Sequence, residues 1–306
     1  MRGSSAKLRT PDRPGPGPLP EVLLRSLDLA VRRRVEGMLA GDHRSSVLGR
    51  GTELAQVRAY VPGDDVRRIE WNVTARTGEA HVRVDLAERV LVTWIVLDGS
   101  ASMAFGTAER RKADVAEGVC LALGHLASRR GNRLGVVAFG GARQTAVPPR
   151  QGRTGMLSLL LALREEPPMT GAGDGTLADG LHLVGRLAQQ RSLVAVVSDF
   201  RGPRNWRPAL LRLAGGHDVI AVEVRDPREE SLPSVGELRL VDPETGRQLR
   251  VNTRDKGLRD RFAAAAAAER ADLKRDLGAI GVGHVVVSTE GDWLRGVAGF
   301  LRRGAR

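Results

Sequence analysis

Apolar and polar positions along the chain recur with two different periods. Residues 19–39, LPEVLLRSLDLAVRRRVEGML, place apolar side chains at helical spacing with Arg and Glu between them, which predicts an amphipathic helix. The Gly-bounded stretch 41–51 ends it. AHVRVDL (80–86) alternates as a half-buried strand does, and Pro62-Gly63-Asp64-Asp65 is turn chemistry. From the apolar run VLVTWIV (90–96) onward the pattern becomes regular. Strands are expected up to Asp98, at 133–140, at 192–200, at 217–224 and in GHVVVST (283–289), with a short one at 143–149. Helices are expected at 109–130, near 153–165, at 176–190, near 206–214, around the Ala run 263–268 and at 292–302.

Strands separated by helices of ten or more residues predict a doubly wound, mostly parallel sheet flanked by helices, an α/β fold. The strands are near-continuous apolar runs, as expected where both sheet faces are covered. GELRLVDPETGRQLRVN (236–252) departs from this pattern, because Asp-Pro-Glu-Thr-Gly is a hairpin turn. It is expected as a β-hairpin at or beyond the sheet edge. The expected organisation is a disordered lead over 1–18, rich in Pro, Gly and Ser, and a helix-plus-β extension over 19–87. An α/β domain over 88–306 then includes the C-terminal hairpin, strand and helices.

Composition narrows the function classes. Hydrophobic residues make up 42% of the 306 residues, enough for a sizeable core, and aromatics only 3%, so Val, Leu, Ala and Ile must fill it. The formal charge of +12 comes almost entirely from Arg, scattered through every segment. That favours solvation or an acidic protein partner over specific nucleic-acid binding. Cys120, the sole cysteine, excludes a disulfide framework and is expected as a small buried hydrophobe. No stretch approaches the length of a membrane span, and the N-terminal residues lack a signal-peptide apolar core, so a cytoplasmic location is expected. The six histidines are dispersed without metal spacing.

Candidate chemistry clusters where open parallel sheets bind ligands, outside the carboxyl ends of the strands. Asp98-Gly99-Ser100-Ala101-Ser102 follows the first strand of the regular pattern, Gly173-Asp174-Gly175-Thr176 opens a helix, and Ser198-Asp199 closes another strand. Each offers hydroxyl or carboxylate oxygens, the ligand types of a hard cation such as Mg²⁺ or Mn²⁺. Ser100 and Ser102 would bind directly, Thr176 would approach from the neighbouring loop, and Asp98 and Asp199 would hold coordinated waters. An ion with few direct carboxylates stays electrophilic and suits a carboxylate from another molecule. The plainer alternatives are a strand-ending turn at Asp98-Gly99, helix caps at Ser100, Ser102 or Thr176, and a turn role for Asp174.

The order Asp98, Ser100, Ser102, Thr176, Asp199 resembles the metal-ion-dependent adhesion site of von Willebrand factor A domains, over roughly residues 88–230. Residues 49–84, carrying Gly51, Glu53, Arg58, Tyr60, Gly63, Asp64, Asp65, Arg67, Ile69, Trp71, Ala75 and Arg76, resemble a bacterial family called domain of unknown function 58. That likeness implies a von Willebrand A-like domain after the signature, a protein-binding role, and a MoxR-type AAA+ ATPase or its client as partner. Some members of that family carry transmembrane helices upstream. Asp64, Asp65, Arg67, Trp71 and Arg76 are expected to form a buried ionic network.

Catalytic readings fit less well. A haloacid-dehalogenase-type phosphatase places a nucleophilic Asp at this strand end but needs a second carboxylate two residues later, where Ser100 stands. A serine hydrolase would need Gly-x-Ser-x-Gly with a His partner, and DGSASM lacks the second Gly. No P-loop or dinucleotide fingerprint is present. A binding module is therefore expected, with a metal-dependent hydrolase, or a scaffold contacting its partner through residues 49–84, as the alternatives.

Overall fold

The computed structural model describes residue 11 and residues 14–25, 53–86, 92–127, 132–163 and 173–303. The chain divides into two compact units, one of Met1–Gly37 with Leu91–Arg306 and the other of Met38–Val90.

The larger unit is built on a six-stranded sheet. Its strands are β3 (Val92–Asp98), β4 (Arg133–Phe139), β5 (Thr145–Gln151), β6 (Leu193–Ser198), β7 (Asp218–Arg225) and β10 (Gly283–Ser288), in the spatial order β10-β7-β6-β3-β4-β5. All neighbours run parallel except β5, which closes one edge antiparallel to β4. An antiparallel edge strand on an otherwise parallel sheet is common in such folds. The strands read as unbroken apolar runs because alternate residues feed two cores. Ile95 and Leu97 of β3 join one cluster, with Val115, Val119, Leu159 and Val297. Trp94 and Val96 join the other, with Leu181, Val184, Leu210 and Leu277. The first cluster lies under α2 (Lys112–Ala127), α3 (Gly152–Leu163) and α7 (Trp293–Arg303). The second lies under α4 (Leu177–Leu187), α5 (Arg207–Gly216) and the carboxyl end of α6 (Lys256–Ile280). The expected doubly wound sheet with helices on both faces is the observed fold.

Two close approaches fix the helix packing. A Cβ at Gly118 on α2 would lie 2.3 Å from a ring carbon of Trp293, so only Gly lets α7 seat there. Trp293 also donates its indole N–H to the carbonyl of Pro16 at 3.0 Å. Arg111 donates to the carbonyl of Pro11 at 2.8 Å. Leu19, Leu23 and Leu24 pack against the first core. The expectation of a disordered lead over 1–18 therefore does not hold at Pro11 and Pro16. Residues 21–25 are helical, and the rest of the helix expected over 19–39 lies outside the described residues.

Strands β8 (Glu237–Val241) and β9 (Gln248–Asn252) pair antiparallel as a separate two-stranded sheet, the hairpin expected from its turn sequence.

In the smaller unit, β1 (Glu53–Ala59) pairs antiparallel with β2 (His81–Leu86). Between them lie a turn, a short 3-10 segment (Val66–Arg68) and α1 (Trp71–Thr77), stopped by left-handed Gly78. Asp64 accepts two hydrogen bonds from the guanidinium of Arg58, at 2.8 and 2.7 Å. The other residues of the expected ionic network have separate tasks. Asp65 caps the 3-10 segment by accepting from the backbone N–H of Arg67, Arg76 reaches the carbonyl of Asn72, and Trp71 is 69% exposed. A buried network is thus not formed; short-range caps satisfy these polar groups instead.

Candidate functional site

Strand order reverses about β3, which has β4 on one side and β6 on the other. Connections leave this point toward opposite faces and open a crevice at the strands' carboxyl ends. Asp98 ends β3 and Ser198-Asp199 ends β6, so the switch point itself brings these groups together.

Three glycines let the surrounding loops stack. Gly99 donates its backbone N–H to the carbonyl of Phe139 at 2.8 Å. Gly140 has φ +74°, and a Cβ there would meet Ser100 at 3.0 Å. A Cβ at Gly173 would lie 1.7 Å from the carbonyl oxygen of Gly140, which no side-chain-bearing residue can satisfy. The loop ahead of α4 is sewn down here by paired backbone bonds, Gly140 N–H to Asp174 O at 2.7 Å and Asp174 N–H to Gly141 O at 2.8 Å. The Asp174 carboxylate accepts from the backbone of Gln144, so Asp174 is a turn residue.

Ser100 precedes a buried 3-10 turn, Ala101–Ala104, which holds the Ser100 and Ser102 hydroxyl oxygens 3.1 Å apart. Asp98 accepts from the Ser100 backbone at 2.9 Å and from the Ser198 hydroxyl at 2.5 Å. Burial first, and then the neighbouring Asp199 carboxylate, push the Asp98 pKa up to about 6 despite those bonds. Burial opposes ionisation of Asp199 as well, but the Lys112 ammonium outweighs it and holds the pKa below the usual carboxylate range. Ser102 also hydrogen-bonds Asp199. Lys112 is wholly buried, with its Nζ 2.5 Å from Asp199 Oδ2 and 2.7 Å from Glu229 Oε1. These two carboxylates keep Lys112 charged, its pKa net above the ordinary value although burial works against it.

Asp98, Ser100, Ser102 and Asp199 thus form one linked cluster. Thr176 sits on the adjacent loop, exposed, as the N-cap of α4. Its hydroxyl accepts from the Asp179 backbone N–H and donates to Asp179 Oδ2 at 2.7 Å, and that carboxylate also accepts from the Thr176 backbone N–H, a capping box.

Sequence reasoning named Ser198 only as part of the Ser198-Asp199 strand end, without a role, and did not single out Lys112, Glu229 or Glu244. Ser198 stands beside Asp199 and shares Asp98. Lys112 and Glu229 complete the buried ion cluster; the available signal was a lysine in a chain whose cations are otherwise nearly all Arg. Glu244 comes from the tip of the β8–β9 hairpin, where its Oε1 accepts from the backbone N–H of Ser102 at 2.9 Å, across 142 residues of sequence. Behind the cluster, wholly buried Asp226 accepts from the backbone and hydroxyl of Thr107 and from the hydroxyl of Thr289, tying the loop before α2 to the ends of β7 and β10.

The donor set fits a hard divalent cation on its own chemistry. Octahedral oxygen ligation at about 2.0–2.1 Å puts adjacent ligand oxygens about 2.9 Å apart, and the two serine hydroxyls are spaced 3.1 Å. Asp98 is a buried carboxylate whose charge no cation among its described partners offsets, which a bound ion would do. Ser100, Ser102 and Asp98 could hold the ion, with Asp199 shared between it and Lys112 and with Thr176 at the edge of the site.

Comparison with known proteins finds relatives in sequence and likenesses among solved structures. The uncharacterized proteins Mb1516 of Mycobacterium bovis and Rv1480 of Mycobacterium tuberculosis are each 42% identical over 285 residues, covering 92% of this chain and 90% of theirs. Among solved structures, the hypothetical protein BatB of Bacteroides thetaiotaomicron matches at 14% identity and a TM-score of 0.44, over 70% of this chain and 98% of that one. A von Willebrand factor type A protein of Catenulispora acidiphila matches at 14% identity and a TM-score of 0.38, over 74% of this chain and 43% of that one. The family model described as "Protein of unknown function DUF58" matches residues 56–272. This match over most of the chain shows that it belongs to the DUF58 family.

Proposed function

We propose that this protein is a non-enzymatic interaction module that captures an acidic side chain of a protein partner through a divalent cation, Mg²⁺ or Mn²⁺. Asp98, Ser100, Ser102, Thr176 and Asp199 form its site. The observation that carries the reading is the pair of serine hydroxyls 3.1 Å apart beside two buried carboxylates at the sheet's switch point. When bound, the ion supplies one strong, directional contact to an incoming carboxylate. The protein's own groups do the rest. The stacked glycine loops hold the hydroxyls in register, Ser198 orients Asp98, and Lys112 fixes Asp199. With Lys112 offsetting Asp199, the site keeps a low net negative charge and leaves the cation free to attract an external carboxylate.

A MoxR-type AAA+ ATPase, or a client handled with it in assembly or chaperone-like work, is the proposed partner, in the cytoplasm. No helix among the described residues is long and apolar enough to cross a membrane. The excess of Arg favours encounter with an acidic surface.

The test is Mn²⁺ binding followed by electron paramagnetic resonance, for wild type and Ser100→Ala/Ser102→Ala, joined to pull-downs with and without EDTA. Saturable binding at one site, lost in the double variant, with a partner released by EDTA, is the expected result. A partner set indifferent to both chelation and mutation would overturn the proposal.

A further inference from the structure

The turn that carries Glu244 is tightly organised. Asp242 accepts from the backbone N–H of Glu244 at 3.0 Å and from the Thr245 hydroxyl at 2.5 Å, and Gly246, at φ +68°, closes the loop back onto the Asp242 carbonyl. The hairpin's base is equally fixed. Thr253 is wholly buried and bonds the carbonyl of Gly236 through both its backbone N–H and its hydroxyl, at 2.7 and 2.8 Å. The strands between base and tip are different. Val241 is 46% exposed and Leu249 61%, and no residue of β8 or β9 is buried. Its apolar face, Leu238 and Leu240 paired with Val251 and Leu249, is at most half-buried, and a two-stranded hairpin is marginal by itself. This one is an arm, hinged at Thr253 and docked at its tip by the bond from Ser102 to Glu244.

Docking puts a carboxylate on the loop that supplies the serine hydroxyls. The hairpin balances Arg239, Arg247 and Arg250 against Glu237, Asp242 and Glu244, and of these acidic side chains Asp242 is spent inside the turn while Glu244 reaches Ser102. An acidic residue projected by a tight turn is also the chemistry that the proposed site would accept from a partner. We infer that Glu244 is a built-in occupant of the partner site: the hairpin tip holds it closed, and an acidic segment of another protein binds by displacing that tip. This inference rests on the proposed metal-dependent capture. It adds the partner's chemistry, an acidic side chain on an exposed turn, and a closed state that lowers the site's apparent affinity.

The chain's own turn serves as the probe. A fluorescein-labelled peptide of residues 239–250, RLVDPETGRQLR, is titrated by fluorescence anisotropy against full-length wild type and Glu244→Ala in Mg²⁺. Glu244→Ala is expected to bind roughly tenfold or more tightly than wild type, because it removes the competing closed state. A peptide with Gln in place of its Glu is expected to lose that binding, as is any titration in EDTA. Equal affinity for both proteins, or no binding to either while Mn²⁺ binding is intact, overturns the inference. Should Mn²⁺ not bind wild type at all, the proposed function fails, and the docking is read separately from hydrogen exchange of the Ser102 amide without metal. Faster exchange in Glu244→Ala then supports the docked tip, and unchanged exchange refutes it.

Discussion

The ammonium of Lys112 lies 2.5 Å from Asp199 Oδ2, at the foot of the candidate site and out of contact with solvent. The same nitrogen bonds Glu229, so one lysine offsets two carboxylates. Breaking such a cluster by removing its cation leaves buried charge unpaired, which costs about 3–5 kcal/mol. Lys112→Met is expected to lose stability on that scale in urea unfolding, and Lys112→Met/Asp199→Asn to recover part of it. A loss below about 1 kcal/mol would show that the cluster is not load-sharing in this way.

Asp98 gives a pH signature in the metal-free protein. Its folded-state pKa of about 6 lies above its ordinary value of 3.8, so the folded chain holds this proton more tightly than the unfolded chain does. The contribution is present at acid pH and is lost as pH rises through roughly 4 to 6, an effect on the order of 3 kcal/mol. Between those limits Asp98→Asn should gain stability relative to wild type, measured by thermal unfolding in EDTA. A difference that does not change with pH would contradict the assignment.

Glu223 carries the opposite sign. It accepts from His284 at 2.7 Å and from Arg225 at 2.5 and 2.7 Å. Burial alone would raise its pKa, but these bonds outweigh burial and hold it below the usual value. Its contribution is therefore present above the unfolded-state pKa and fades as pH falls through the folded-state one. Glu223→Gln is expected to cost about 1–3 kcal/mol near neutral pH and much less in strong acid. A cost that is the same at both would locate the effect in packing alone.

Two glycine substitutions separate the site from the scaffold. Gly173→Ala drives a methyl into the Gly140 carbonyl and must unstack the loop that leads to Thr176. A loss of about 1–3 kcal/mol is expected, together with weaker Mn²⁺ binding. Gly278→Ala, near the carboxyl end of α6 with nothing within 4 Å of the new methyl, should instead stabilise by about 0.5–1 kcal/mol. Metal binding unchanged by Gly173→Ala would remove Thr176 from the site.

Most of the larger unit was legible in the sequence because a strand buried on both faces leaves no ambiguity in an apolar run such as VTWIVL. The hairpin was legible for a different reason: Asp-Pro-Glu-Thr-Gly specifies its own turn. What escaped was distant pairing. Nothing local to Glu244 says that its carboxylate meets Ser102, and nothing local to Lys112 says that its helix starts between Asp199 and Glu229. Helix α1 was missed because WNVTART is too short to display a helical period. The supposed ionic network around Trp71 failed because polar side chains close in sequence satisfied one another first. Thr176 is expected both as a cap and as a candidate ligand; its hydroxyl accepts from the backbone N–H of Asp179, as a cap requires.

The bond from the Trp293 indole to the carbonyl of Pro16 spans 277 residues. The entropy of closing so long a loop, which grows with the logarithm of its length, is recovered only after the intervening sheet has brought α2 and α7 together. The groove between Gly118 and Trp293 that receives Pro16 does not exist before then. The N-terminal segment is consequently a late arrival in folding and an early departure in unfolding. Its amides should exchange with solvent at free energies well below that of the sheet it covers.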